Sequence, residues 1–354
     1  MTDFRSDTLT KPSAGMRRAM AEAEVGDEQY LEDPTVNRLQ ELAAELTGKE
    51  AALFVPSGTM CNAIAFAVHC RPGDAVILER RAHPNIAEGG GPAIFASVMM
   101  RGIEGERGVF TAEQVTPYLS QQGTHTSKTS MVSVENTSNQ GGGKIWPLDA
   151  LAGLRALCDE ADMKLHMDGA RLMNAAVGSD TPVSVIASYP DSVWIDLSKG
   201  LGAPVGAVLA GPADFIEEGR LWKHRLGGAM RQAGIIAAAG IYAFENNVDR
   251  LAEDHEHAKF LAEGLGSIPG IELLRTPVET NIVIFSVAQT GMSAAEFARI
   301  LREEHGVSMS PYVDPLTVRA VTHIDVGRED CVKAIAAVHA VATGVQRPAV
   351  LDES

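Results

Sequence analysis

Short apolar runs alternate with longer stretches of helical period through the first two thirds of the chain. The runs 51–55, 75–78, 130–134, 164–167, 192–196 and 206–210 have the length and content of strands buried on both faces. Residues 60–69 and 148–161 between them carry a helical pattern, and this alternation predicts a mostly parallel sheet covered by helices on both faces. Ligands of such sheets bind beyond the carboxyl ends of the strands. The stretch 229–244 is rich in Ala, Gly and Ile with little charge, which predicts a buried helix. Residues 248–265 read as an amphipathic helix with Asp254, His255 and Glu256 facing solvent. Then 280–287, 294–305, 320–326 and 329–343 give strand, helix, strand, helix, as in a small α+β domain. The expected organisation is an N-terminal arm (1–35) with a short helix at 14–24, a large domain (36–245), a small C-terminal domain (246–345) and a tail (346–354).

Composition narrows the function classes. Among 354 residues, 46 acidic side chains face 30 basic ones, a net charge of −16. A surface of that sign repels polyanions, so nucleic acid is not an expected partner. No run reaches the roughly 18 apolar residues of a membrane span, and Met1–Asp7 lacks the apolar core of a signal peptide; a cytoplasmic protein with no membrane partner is expected. Cys61, Cys70, Cys158 and Cys331 form no Cys-x-x-Cys pair and read as buried free thiols. No His/Asp/Glu set has zinc spacing, so no metal is expected. His69, His257 and His305 read as surface or satisfied structural residues, and Met99 and Met100 as core filling.

Chemistry concentrates at three places. Lys199 follows the apolar run Val193–Leu197 and precedes Gly200-Leu201-Gly202, which puts an amine at a strand mouth beside open space. Asp168 ends another run in the same way. Ser57-Gly58-Thr59 follows the strand at 51–55 and opens a helix, where N–H groups and hydroxyls meet a phosphate. Taken singly, an Asp after a strand is a turn residue and Ser-Gly-Thr a helix cap. Together they suit pyridoxal 5′-phosphate, which needs a lysine for its Schiff base, a carboxylate to keep its ring nitrogen protonated, and a phosphate cradle.

These residues lie within longer segments that resemble the threonine aldolases, fold-type I enzymes of the β-eliminating lyase group. The matching segments include Arg5-Ser6-Asp7-Thr8, Gly26-Asp27 through Tyr30 to Asn37, and Gly48-Lys49-Glu50-Ala51-Ala52. They continue with Pro56-Ser57-Gly58-Thr59-Met60, His166–Arg171, Leu197–Gly206, Met230–Gly234 and Val321-Thr322-His323. The resemblance implies an α/β fold, an aspartate aminotransferase-like large domain with a small C-terminal α+β domain. It implies cleavage of L-threonine or L-allo-threonine to glycine and an aldehyde. Lys199 would then be the Schiff-base lysine, Asp168 the pyridinium partner and His83 the residue stacked on the ring. Ser6, Arg171 and Arg319 would hold the substrate carboxylate, with Tyr30 and Ser138 also on the substrate, and Arg suits a carboxylate because its planar fork grips both oxygens. A homotetramer is implied, with Lys223, Arg225 and Arg231 reaching the cofactor phosphate of a partner subunit. Without the resemblance, that basic stretch would read as a solvated face.

The chain departs from the family pattern at Glu135-Asn136-Thr137-Ser138, where a histidine usually stands in place of Ser138. Serine is a far weaker base than imidazole at neutral pH. The β-hydroxyl proton then goes to His83 or an ordered water, or the enzyme takes a different β-substituent. Leu31 stands where the family commonly has Gly, and Gly227-Gly228-Ala229 where three glycines are usual. The competing readings are a related lyase acting on a bulkier substrate such as phenylserine, β-elimination on the same cofactor, or a binding protein without turnover.

Overall fold

The computed structural model describes residues 1–344; the expected tail lies outside the described residues. The chain divides into two compact units. One is Thr10–Ala252; the other combines Met1–Leu9 with the residues from Glu253 onward. The boundary falls in the first turn of the helix Leu251–Gly266, a few residues beyond the expected 246.

The large unit is built on a seven-stranded sheet. Its order is Ala51–Val55, Ala207–Gly211, Ser192–Asp196, Lys164–Asp168, Thr129–Glu135, Ala75–Glu79, Met99–Ile103. Ala207–Gly211 runs antiparallel to both neighbours, and the other successive pairs are parallel. The strands alternate between two apolar layers, as period-two geometry requires. Leu53 and Val55 pack with Ile64, Phe66 and Phe215, whereas Phe54, Val132 and Ile195 pack on the other face with Leu39, Leu154 and Ala239. The stretch expected to form a buried helix at 229–244 is helical over Gly234–Asn246, with its small residues Ala237, Ala239, Gly240 and Ala243 buried.

Met99–Ile103 is the strand the apolar pattern does not announce. It lies at the sheet edge, and Met99 is 55% exposed rather than core filling, because an outermost strand has only one side covered. All four cysteines are buried and free, and burial pushes Cys70 and Cys158 up to about 12.

The second unit has a four-stranded antiparallel sheet, ordered Ser310–Tyr312, Thr317–Val321, Ile282–Ser286, Glu272–Leu274. Its helices Ala294–His305 and Arg328–Thr343 fall where the sequence places them. The strand expected at 320–326 runs instead over Thr317–Val321, because the chain turns after Val321, where the Asp325 N–H meets His323 Nδ1 at 3.3 Å. Residues 1–9, expected as part of an arm, belong to this unit: Thr2–Asp3 pairs in parallel with Val307–Ser308, and Phe4 is fully buried in its core. Asp254 and His255 are buried rather than solvent-facing, because the positions Leu251, Asp254, His255, Ala258, Leu261, Ala262 and Leu265 recur at helical spacing and face inward.

Candidate active site

Three adjacent parallel strands of the large sheet end in carboxylates: Glu135, Asp168 and Asp196. Glu135 and Asp168 are register partners. Beyond the last of these strands the chain turns tightly, with the Ser198 N–H and hydroxyl both donating to Asp196 Oδ1 at 2.8 Å. That turn brings Lys199 Nζ to 2.5 Å from Asp196 Oδ2 and 5.5 Å from the centre of the Trp194 ring. The Thr10 hydroxyl fixes the Lys199 carbonyl at 2.9 Å.

Asp168 is 1% exposed, and burial raises its pKa by penalising the charged form. Asn62 Nδ2 donates to its Oδ2 at 3.0 Å and the Ala170 N–H to its Oδ1 at 3.1 Å. The same Asn62 Nδ2 donates to Glu88 Oε1 at 2.7 Å, and His83 Nδ1 approaches that oxygen at 2.8 Å. Burial raises Glu88 too, while the hydrogen bond from His83 to Glu88 raises the histidine. Glu135 accepts the N–H groups of His83 and Asn139 at 2.8 and 2.7 Å, yet burial carries it up to about 7. His83, Glu88 and Asp168 thus offer atoms within 4.8 Å of one another. Asn62 already bridges the two carboxylates, and we read the set as a hydrogen-bonded network rather than as metal ligands.

The helix Gly58–His69 carries Asn62 in its second turn, with Ser57 as its cap and Ser57 Oγ accepting the Met60 N–H at 3.3 Å. Its first turn presents N–H groups that the helix itself leaves without partners. Gly58 is required there: a Cβ would stand 2.2 Å from Trp194 Cη2. Ser57 and Thr59 are exposed and Gly58 is buried.

The other expected site residues are distributed as follows. Arg171 is 6% exposed and caps the helix Leu172–Ser179. Ser138 is buried, and its Oγ accepts the Gly141 N–H at 3.2 Å. Tyr30 is 72% exposed on a short 3-10 turn. Leu31 after it has φ of +62°, the left-handed conformation that favours glycine. Lys223 is buried with its Nζ 2.7 Å from Glu28 Oε2, and Arg231 lies 2.7 Å from Asp27 Oδ2. Arg225 lies over the Trp222 ring at 4.9 Å. Ser6 and Arg319 belong to the other unit, where Arg319 lies 4.8 Å from the centre of the Tyr312 ring and donates to the Arg5 carbonyl.

The sequence alone assigns no site role to Asn62, Glu88, Glu135, Asp196 or Trp194. Asn62 is a lone amide inside the apolar stretch Cys61–Phe66, and Glu88 precedes three glycines; those contexts are the only local signals that could have marked them.

Comparison with known proteins finds relatives over most of the chain. The Beta-eliminating lyase family model matches residues 3–290. The low specificity L-threonine aldolase of Escherichia coli (strain K12) is 41% identical over 331 residues, covering 93% of this chain and 96% of that one. The probable low-specificity L-threonine aldolase 2 of Arabidopsis thaliana is 40% identical over 335 residues, 93% of each chain. In fold, the solved structure of Leishmania major threonine aldolase matches with a TM-score of 0.82 at 21% identity, covering 97% of this chain and all of that one. The fold is therefore that of the fold-type I enzymes, with a mostly parallel central sheet. By family model and by sequence, the chain belongs to the threonine aldolases of the beta-eliminating lyase family.

Proposed function

We propose that the protein is a pyridoxal-phosphate-dependent lyase that cleaves L-β-hydroxy-α-amino acids of the threonine type to glycine and an aldehyde. The observation that carries this reading is the amine of Lys199 and the buried carboxylate of Asp168 at the ends of neighbouring strands. The residues fit the cofactor. Asp168 is held by neutral N–H donors from Asn62 and Ala170, so a protonated ring nitrogen would offset its buried charge. The cap at Ser57 and the first turn at Gly58 and Thr59 suit a phosphate.

When bound, pyridoxal phosphate supplies an electron sink that stabilises negative charge at the substrate Cα. Lys199 would hold it covalently, and its Nζ would accept and return a proton as substrate amine replaces it. Asp168 would keep the ring nitrogen protonated. Arg171, Arg319 and Ser6 are the proposed carboxylate ligands, which restricts the substrate to an α-amino acid. Tyr30 remains a proposed substrate contact, and Lys223 and Arg231 proposed phosphate ligands in a homotetramer, where they would exchange Glu28 and Asp27 for the phosphate. Ser138 Oγ already accepts the Gly141 N–H. We therefore assign the β-hydroxyl proton to His83 Nε2, since Glu88 holds Nδ1 and raises the affinity of the ring for protons.

The test is product analysis with L-threonine, L-allo-threonine and L-phenylserine. Glycine and aldehyde are expected. Pyruvate or another keto acid with ammonia would replace this reading by β-elimination, and no product from any of them would return the chain to a binding role.

A further inference from the structure

Behind the two carboxylates runs a hydrogen-bonded chain whose donors can be assigned. The Trp194 indole N–H can only donate, and it meets Asn62 Oδ1 at 2.8 Å, which fixes that atom as the oxygen. His166 Nε2, 3.2 Å from the same oxygen, must then carry its hydrogen. Burial pulls His166 down to about 3, so its ring is neutral and Nδ1 is an acceptor, taking the Ser192 hydroxyl at 2.8 Å. The Ser192 oxygen in turn takes a hydrogen from His69 Nε2 at 2.7 Å, and the His69 ring is stacked on Phe215 with centres 4.4 Å apart. With its oxygen committed to Trp194 and His166, Asn62 turns its NH2 group toward Asp168 and Glu88.

We infer that Asn62 is a positioning residue of this site: its NH2 group clamps the carboxylates of Asp168 and Glu88 together, while Trp194 and His166 lock the amide from behind. Asn62 is fully buried, and the only way to turn it over would set its NH2 against two N–H donors. The clamp holds Asp168 in place for the ring nitrogen and, through Glu88, sets the direction of the His83 imidazole. Lys199, His83, Glu88 and Glu135 each act on Asp168, and Asn62 supplies hydrogen bonds that let two carboxylates stand side by side. In its link to the cofactor, the inference rests on the function proposed above.

The experiment compares wild type with Asn62→Ala, which opens space, and Asn62→Leu, which refills it without polar atoms. Titration of the cofactor-free proteins with pyridoxal phosphate should show binding weakened about tenfold or more in both variants, since a hydrogen bond to a charged group is lost. Wild-type binding in Asn62→Leu would overturn the clamp, because filling volume would then suffice. Melting temperatures of the same cofactor-free proteins supply a second readout. Without the Asn62 donors, Asp168 and Glu88 rise further, so the deficit of each variant should grow from pH 5 to pH 8; a deficit independent of pH contradicts the inference. If neither variant folds, ¹⁵N-Asn spectra of wild type decide: the Asn62 NH2 signals should shift as the carboxylates titrate, and unmoved signals refute the clamp. A wild type that takes up no cofactor would sink the cofactor reading, leaving the clamp to be judged on melting and spectra.

Discussion

Two parts of the large unit bury acidic groups, and they do so in opposite ways. Around Asp27 and Glu28, each carboxylate has its own cation: Glu28 pairs with Lys223 deep in the protein, and Asp27 pairs with Arg231 near the surface. Around Asp168, by contrast, Glu88 and Glu135 crowd in, and Asp168 itself is met by the amide donors of Asn62 and Ala170. The first arrangement is self-contained. The second leaves acids raised by burial, a cost a folded chain carries where a positive group from outside completes the site. The contrast separates a region whose charges are matched within this chain from one whose buried acids call for a positive group.

The sharpest way to break the contrast is to remove chemistry from one side alone. Lys199→Ala should lower turnover by about a thousandfold or more, as loss of a covalent group does. Retained aldehyde release would contradict the assignment. Next, the two carboxylates should respond in opposite senses. Glu28→Gln leaves Lys223 buried without its counter-charge and should cost about 3–5 kcal/mol in denaturant unfolding. Asp168→Asn should cut turnover about a hundredfold while leaving the cofactor-free protein as stable or more so at pH 8, since it removes a charge that burial opposes.

Titration sharpens the same point. Glu135 rises from 4.5 to about 7 on folding, so its stability contribution is complete below 4.5 and is lost as pH climbs through about 7. Unfolding free energy of the cofactor-free protein should therefore fall from pH 5 to pH 8, with about 3 kcal/mol as the upper bound from Glu135, and Glu135→Gln should flatten that slope. A slope unchanged by the substitution would remove Glu135 as its source. The smallest effect belongs to the structural side. Leu31→Gly relieves a left-handed residue beside the turn that carries Glu28, and should stabilise by about 0.5–1 kcal/mol without altering turnover, read from a urea midpoint.

The strands at the heart of the sheet were legible because each is a short apolar run stopped by polar or glycine residues, and such a run fits a strand covered on both faces. Met99–Ile103 was not, since an edge strand mixes Arg101 and Gly102 with its methionines. Polarity also misled at Asp254 and His255: helical spacing turns them inward, and spacing outweighs side-chain type when a neighbour supplies partners. Lys199, Asp168 and Ser57 could be read from strand ends and a helix start, where local sequence alone dictates exposure of a group. Asn62 meets Glu88 across 26 residues and Asp168 across 106, and Glu135 meets His83 across 52, and nothing in their immediate neighbours records those meetings.

The most direct test of the central claim is to load the protein with pyridoxal phosphate, reduce it with borohydride and map the peptides by mass. The account predicts the reduced cofactor on Lys199 in the wild type and none on that residue after Asp168→Ala has weakened binding. A cofactor fixed to another lysine, or no fixed cofactor at all, would contradict it.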